Sequence, residues 1–169
     1  MQNRPAGQNV SQYRGCSLRY RAKNIHATAL VVGETGVLIV GAPGSGKSRL
    51  ALDFLQSATV AGKFAALVAD DQVFLEPLEN RLMAIAPEPT RGLIEIRGSA
   101  IINVACVNRA MMHLVISTAS AGQGERLPDL QQRQDVLPGL SLPLLHMVPG
   151  QMKDPIELLL AFAQNRLLL

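Results

Sequence analysis

The segment Gly41-Ala42-Pro43-Gly44-Ser45-Gly46-Lys47-Ser48 constrains this chain more than any other part of it. A short β-branched, apolar stretch, residues 37–40, runs into it. After it, Leu50, Ala51, Phe54, Leu55 and Ala58 recur along one helical stripe, with Asp53 and Gln56 on the other side. Gly-x-x-x-x-Gly-Lys-Ser between a strand and a helix is the phosphate-binding loop pattern, and each position has a physical reason. The glycines let the backbone curl so that successive N–H groups point at phosphate oxygens, and the following helix presents its positive end to the same anion. Lys47 supplies a point charge for the β- and γ-phosphates. Ser48 supplies a hydroxyl suited to Mg²⁺, a hard cation that keeps several waters. The eight residues therefore imply a strand–loop–helix unit within an α/β fold that binds a nucleoside triphosphate together with Mg²⁺.

Length and composition place that unit in one domain. At 169 residues, 48% hydrophobic and 17% charged, the chain can bury a sizeable aliphatic core, which argues against a disordered tail. A formal net charge of +3, with no basic block interleaved with aromatics, argues against nucleic-acid binding. Cys16 and Cys106 lie far apart without metal-ligand spacing, the pattern of ordinary thiols in a reducing cytosol. The N-terminus lacks an apolar secretory core and no run is long enough to cross a bilayer, so a soluble cytoplasmic protein with no membrane partner is expected.

Residues 1–23 are polar and Gln/Arg/Asn-rich without a period, and read as a flexible arm ahead of a domain over 24–169. Within the domain, short strands and helices alternate. Strands are expected at 28–32 and 37–40, around the hairpin-like Gly33-Glu34-Thr35-Gly36, and at 65–69, 93–96, 101–107 and 114–117. The polar, Gly/Pro-punctuated stretch 121–139 reads as loop or lid. Asp154 as N-cap, Pro155 at the first helical position and Glu157 at the third open a closing helix that carries residues 158–168.

Nucleotide binding alone does not say where the phosphate goes. Phosphoryl transfer also needs a carboxylate near the acceptor hydroxyl. Asp70 and Asp71, at the end of the strand over 65–69, are the candidates; adjacent strand residues point to opposite faces, so one should project at the site while the other anchors the turn or a metal-bound water. On the residues alone, His26 reads first as a surface histidine, and His113 and His146 read as structural. Glu95 interrupts an apolar strand, which suits either an exposed edge or a metal ligand.

Three segments together, IHATALVVGETGVLIVGAPGSGKSRLAL, LVADDQV and IEIRGSAIINV, resemble the catalytic domain of the HPr kinase/phosphorylase family, bacterial enzymes that act on a serine of the phosphocarrier protein HPr. The resemblance implies the α/β P-loop nucleotide-binding fold of the HPr kinase / phosphoenolpyruvate carboxykinase type, in a short form without the family's N-terminal domain, and a hexameric homo-oligomer. It makes His26 the active-site histidine, Lys47 the phosphate-contacting lysine, Ser48 and Glu95 the Mg²⁺ ligands, and the Asp70-Asp71 pair the source of the catalytic base, with Asp71 slightly favoured. Arg97 becomes a candidate phosphate clamp, and Arg126 resembles the family's later catalytic arginine. The chain departs from the family pattern in a longer connection from Ser48 to Asp70, in Gly-Ser-Ala within the signature, and in His-Met-Val-Pro-Gly-Gln-Met, which lacks arginines associated with phosphorolysis. The expected activity is ATP-dependent phosphorylation of a serine on HPr or an HPr-like carrier, with weak phosphorylase activity. A small-molecule P-loop kinase and a nucleotide-sensing module without transferase activity also fit the residues.

Overall fold

The computed structural model describes residues 22–96, 98–118, 131–150 and 154–166, without the side chains of 163–166. Its centre is a six-stranded sheet in the order β11-β12-β10-β3-β2-β4, built from β2 (Thr28–Val32), β3 (Thr35–Val40), β4 (Ala65–Ala69), β10 (Leu114–Ser117), β11 (Arg133–Leu137) and β12 (Leu140–His146). A second sheet, β1-β5-β6-β9, comprises β1 (Lys23–Ile25), β5 (Val73–Leu78), β6 (Arg81–Ile85) and β9 (Arg109–Met112). The ribbon of β7 (Leu93–Ile96) and β8 (Ala100–Asn103) stands beside them, and the α-helices among the described residues are α1 (Lys47–Val60) and α2 (Pro155–Arg166).

Alternation along the central strands explains the layering, because successive side chains leave a strand on opposite faces. Leu38 of β3 and Val115 of β10 join Leu75, Leu82 and Met112 in a core between the two sheets. Their neighbours Val37, Ile39, Leu114 and Ile116 pack on the other face against Leu50 and Phe54 of α1 and Ile156 and Leu159 of α2. Phe54 is fully buried there, so truncating it to alanine would cost about 3–5 kcal/mol. The start of α2 follows the sequence signal: Asp154 Oδ1 accepts a hydrogen bond from the Ile156 backbone N–H at 2.8 Å.

Strand directions then select one rim of the molecule. β2 is antiparallel to β3 and β4 antiparallel to β2, while β10 is parallel to both β3 and β12. The C-terminal ends of β3, β4, β10 and β12 and the start of β2 therefore share one edge, which is where open α/β sheets place their ligands.

Several expectations need correction. Strands do not alternate with helices but far outnumber them, with twelve strands, two α-helices and one short 3-10 turn, Glu88–Thr90, among the described residues. Residues 133–137 of the expected loop or lid form β11, an edge strand whose outward polar side chains hide its period; residues 121–130 lie outside the described residues, as does most of the arm over 1–23. The expected strand over 101–107 is divided between two partners. β8 ends at Asn103, and Cys106 then bridges to Leu67 of β4.

Candidate active site

Residues 41–46 connect β3 to α1 across the shared rim. Gly46 is the N-cap of α1 with φ 89°, a left-handed conformation suited to glycine, and its neighbour in space is Pro149: a Cβ at Gly46 would lie 2.9 Å from the Pro149 Cγ. The tail of β12 thus lies directly against the start of α1.

Lys47 is 6% exposed at the first turn of that helix. Its ammonium donates to the carbonyls of Gly41 and Ala42 at 3.2 Å each and lies 2.9 Å from His26 Nε2. Since an ammonium can only donate, Nε2 is the acceptor and the imidazole proton sits on Nδ1. Nδ1 in turn reaches Asp71 twice, at 2.9 Å to Oδ1 and 3.0 Å to the backbone carbonyl. Lysine, imidazole and carboxylate form one continuous chain.

Asp70 has a different setting. It is 6% exposed and accepts from Thr28 Oγ1 at 2.7 Å and Ser48 Oγ at 2.9 Å on Oδ1, with the Glu95 backbone N–H 3.4 Å from Oδ2. A register shift in the β2–β4 pairing explains its direction. Ala29 pairs with Ala69 but Leu30 with Leu67, so Val68 and Ala69 both face the inter-sheet core. The alternation is thereby displaced by one residue and Asp70 is turned toward α1, the kind of re-aiming that bulges produce beside functional sites.

A cavity of about 230 Å³ joins these groups, lined by His26, Gly44, Gly46, Lys47, Ser48, Arg49, Leu52, Asp70, Asp71, Glu95 and Ile96. The expectation that only one of the two aspartates would face the site is corrected. Asp71 lies past the end of β4 in a left-handed conformation, φ 67°, so strand alternation does not govern it and both carboxylates reach the cavity. Among the loop residues, Gly41 and Ala42 hold Lys47 through their carbonyls, Pro43 is exposed, and Ser45 faces the sheet, its hydroxyl 2.6 Å from Thr118 Oγ1. Arg97 and Arg126 lie outside the described residues. His113, expected to be structural, accepts from the Gly36 N–H at 2.9 Å and so secures the β2–β3 turn.

Among the described residues, no group of three or more His, Cys, Asp or Glu is gathered to hold a metal by itself. The oxygens of Ser48, Asp70 and Glu95 around one cavity are the hard donor set that Mg²⁺ takes when water and phosphate complete its shell. Thr28 and Thr118 were not singled out from sequence. The available signal was a hydroxyl residue at the rim end of an otherwise apolar strand, where a buried polar group needs a partner.

A mixed α/β sheet with a glycine-rich turn at its C-terminal rim, and two carboxylates, an imidazole and a lysine facing one cavity, defines the class. Residues 20–142 match the HPr Serine kinase C-terminal domain, and the chain belongs to that family. It is 31% identical over 140 residues to the HPr kinase/phosphorylase of Mycoplasmopsis pulmonis, covering 82% of this chain and 43% of that protein. With the HPr kinase/phosphorylase of an Azoarcus species the identity is 33% over 153 residues, covering 82% and 47%. The chain thus spans less than half the length of these relatives. The solved Hpr(Ser) kinase/phosphatase of Coxiella burnetii superposes with a TM-score of 0.64 at 28% identity, covering 86% of this chain and 91% of that one.

Proposed function

We propose that this chain is the catalytic unit of an ATP-dependent serine protein kinase acting on HPr or an HPr-like phosphocarrier, with residues 41–48 as its P-loop. The observation that carries the reading is the meeting, in one cavity, of the Lys47–His26–Asp71 chain with the Ser48–Asp70 pair. In this reading the unit corresponds to residues 24–169, with the arm over 1–23 outside it, and works in the cytoplasm as a homo-oligomer, the hexamer that the family resemblance implies. No helix among the described residues is long and apolar enough to cross a membrane.

The two aspartates divide the work. Asp70 is buried, and its oxygens meet three donors; by accepting the Ser48 proton it leaves that hydroxyl's lone pairs free for a cation. Ser48 and Glu95 would hold Mg²⁺, with Asp70 beside them, and the ion would neutralise charge on the transferring phosphate. Asp71, with its side chain 68% exposed at the cavity, is the base that takes the acceptor serine's proton, and His26 holds its carboxylate. Lys47 has three donors, placed on two carbonyls and the imidazole, so engaging a phosphate exchanges at least one of those contacts. Arg97 and Arg126 add positive charge for the phosphates in the family-based assignment.

Phosphorolysis requires two phosphates to approach one another, which demands cations beyond Lys47 and Mg²⁺. Gln151, which lies outside the described residues, stands in the sequence where the family pattern has arginine, and glutamine carries no charge. Phosphorolysis should therefore be slow relative to phosphorylation; comparable rates at matched Mg²⁺ and millimolar phosphate would remove that expectation.

The deciding experiment incubates the protein with γ-labelled ATP, Mg²⁺ and purified candidate carriers and maps the label. Incorporation at one carrier serine is expected. Label on a metabolite and not on a carrier would establish a small-molecule kinase, and ATP binding without transfer in any mixture would establish a sensing module.

A further inference from the structure

Ser45 is the loop side chain that turns inward. Gly44, Gly46, Lys47 and Ser48 line the cavity, whereas the Ser45 hydroxyl meets that of Thr118, the residue directly after β10, at 2.6 Å. Thr118 is 6% exposed, its backbone N–H donates to the Val40 carbonyl at 3.0 Å, and its hydroxyl lies 3.3 Å from that same oxygen. Gly41 closes the arrangement. A Cβ there would lie 2.0 Å from Thr118 Oγ1 and 2.6 Å from Ser45 Oγ, so the strand end, the loop apex and the end of β10 converge on a point that admits no further atom.

We propose that Thr118 is a positioning residue for the phosphate loop: its hydroxyl pins the loop apex to the central sheet, so that the N–H groups of residues 44 and 46–48 are held toward the cavity before a nucleotide arrives. The functional part of this proposal rests on reading the loop as the triphosphate site. The physical ground is the composition of the loop. Residues 41–46 include three glycines, which have more backbone freedom to lose than other residues, and the turn is closed by the Ser45 N–H to Ala42 carbonyl bond at 3.1 Å. A loop that spends part of its time in other conformations binds its ligand more weakly by that fraction. The hydroxyl pair removes those alternatives from the side of the loop facing away from the ligand. It can therefore set affinity without touching phosphate, and the transfer step is left to other residues.

Thr118→Val keeps the β-branched shape and removes the hydroxyl, Thr118→Ser restores it, and Ser45→Ala removes the same bond from the other partner. Two readouts separate the anchoring from the nucleotide reading. In the free protein, amide hydrogen exchange at residues 44–48 should accelerate in Thr118→Val and Ser45→Ala, no further in the double variant, and return to the unsubstituted rate in Thr118→Ser. In ATP titrations, Thr118→Val should raise Kd about three- to tenfold, the scale of one neutral hydrogen bond, with the transfer rate at saturating ATP unchanged. Unaltered exchange in Thr118→Val would overturn the anchoring whether or not ATP binds. Faster exchange with unchanged Kd would overturn the link to affinity, as would a loss in Thr118→Ser as large as in Thr118→Val. Should the unsubstituted protein fail to bind ATP, the triphosphate reading falls with the affinity link, and exchange alone decides the anchoring.

Discussion

The floor and the mouth of the cavity carry neighbouring aspartates in opposite circumstances. Asp70 is almost fully buried among Thr28, Ser48 and the Glu95 amide, whereas Asp71, one residue later, is mostly exposed, left-handed in backbone and paired with His26. A carboxylate ringed by donors is fixed in place and suited to orienting other groups. One at the mouth can meet an incoming hydroxyl. The difference teaches that two identical residues adjacent in sequence can acquire opposite surroundings just past the end of a strand, here β4, and the division of tasks proposed for them rests on that contrast.

Asp71→Asn is the sharpest break in this comparison, since the amide keeps the side chain's shape and removes its basicity. Transfer to the carrier should fall by about a hundredfold or more, with ATP affinity kept, as single-turnover and binding measurements would show. The matching change at the floor, Asp70→Asn, places an amide donor among hydroxyl and N–H donors. It should lower stability by about 1–3 kcal/mol in urea unfolding and weaken ATP binding more in Mg²⁺ than in EDTA. His26→Gln severs the link from Lys47 to Asp71, and transfer should drop about tenfold, the scale of a charge-assisted hydrogen bond, with stability barely altered. The smallest effect is expected from Thr28→Val, which removes one of the donors on Asp70: a loss of about 1 kcal/mol in stability and little change in transfer. If Asp70→Asn and Asp71→Asn shared one phenotype, impaired binding and impaired transfer alike, the division between floor and mouth would be wrong.

What could be read from the sequence follows how local each feature is. The strand–loop–helix unit around residues 41–48 was legible because its signals lie in consecutive positions. β2, β4, β7 and β10 were legible as short apolar runs bounded by turn residues or charge. β5 and β12 contain Pro77 and Pro143, residues that argue against a strand, and β11 is polar along its outer edge. The division between Asp70 and Asp71 depends on a register shift against β2 that no run of residues announces. Thr28 and Thr118 act across 42 and 73 positions of chain, and neither stands out until the strands are laid side by side. His26 became visible through family resemblance, because its partners lie 21 and 45 positions away.

Because β3, β4, β10 and β12 all deliver their ends to one rim, the opposite rim is left to connections: Gly33 and Glu34 between β2 and β3, Glu79 and Asn80 between β5 and β6, Pro138 and Gly139 between β11 and β12. Nothing in the proposed chemistry passes through those turns. They are the positions at which a fluorophore, an affinity handle or an inserted reporter domain can be carried a full strand's length from the cavity, and at which sequence and length can change without touching its lining.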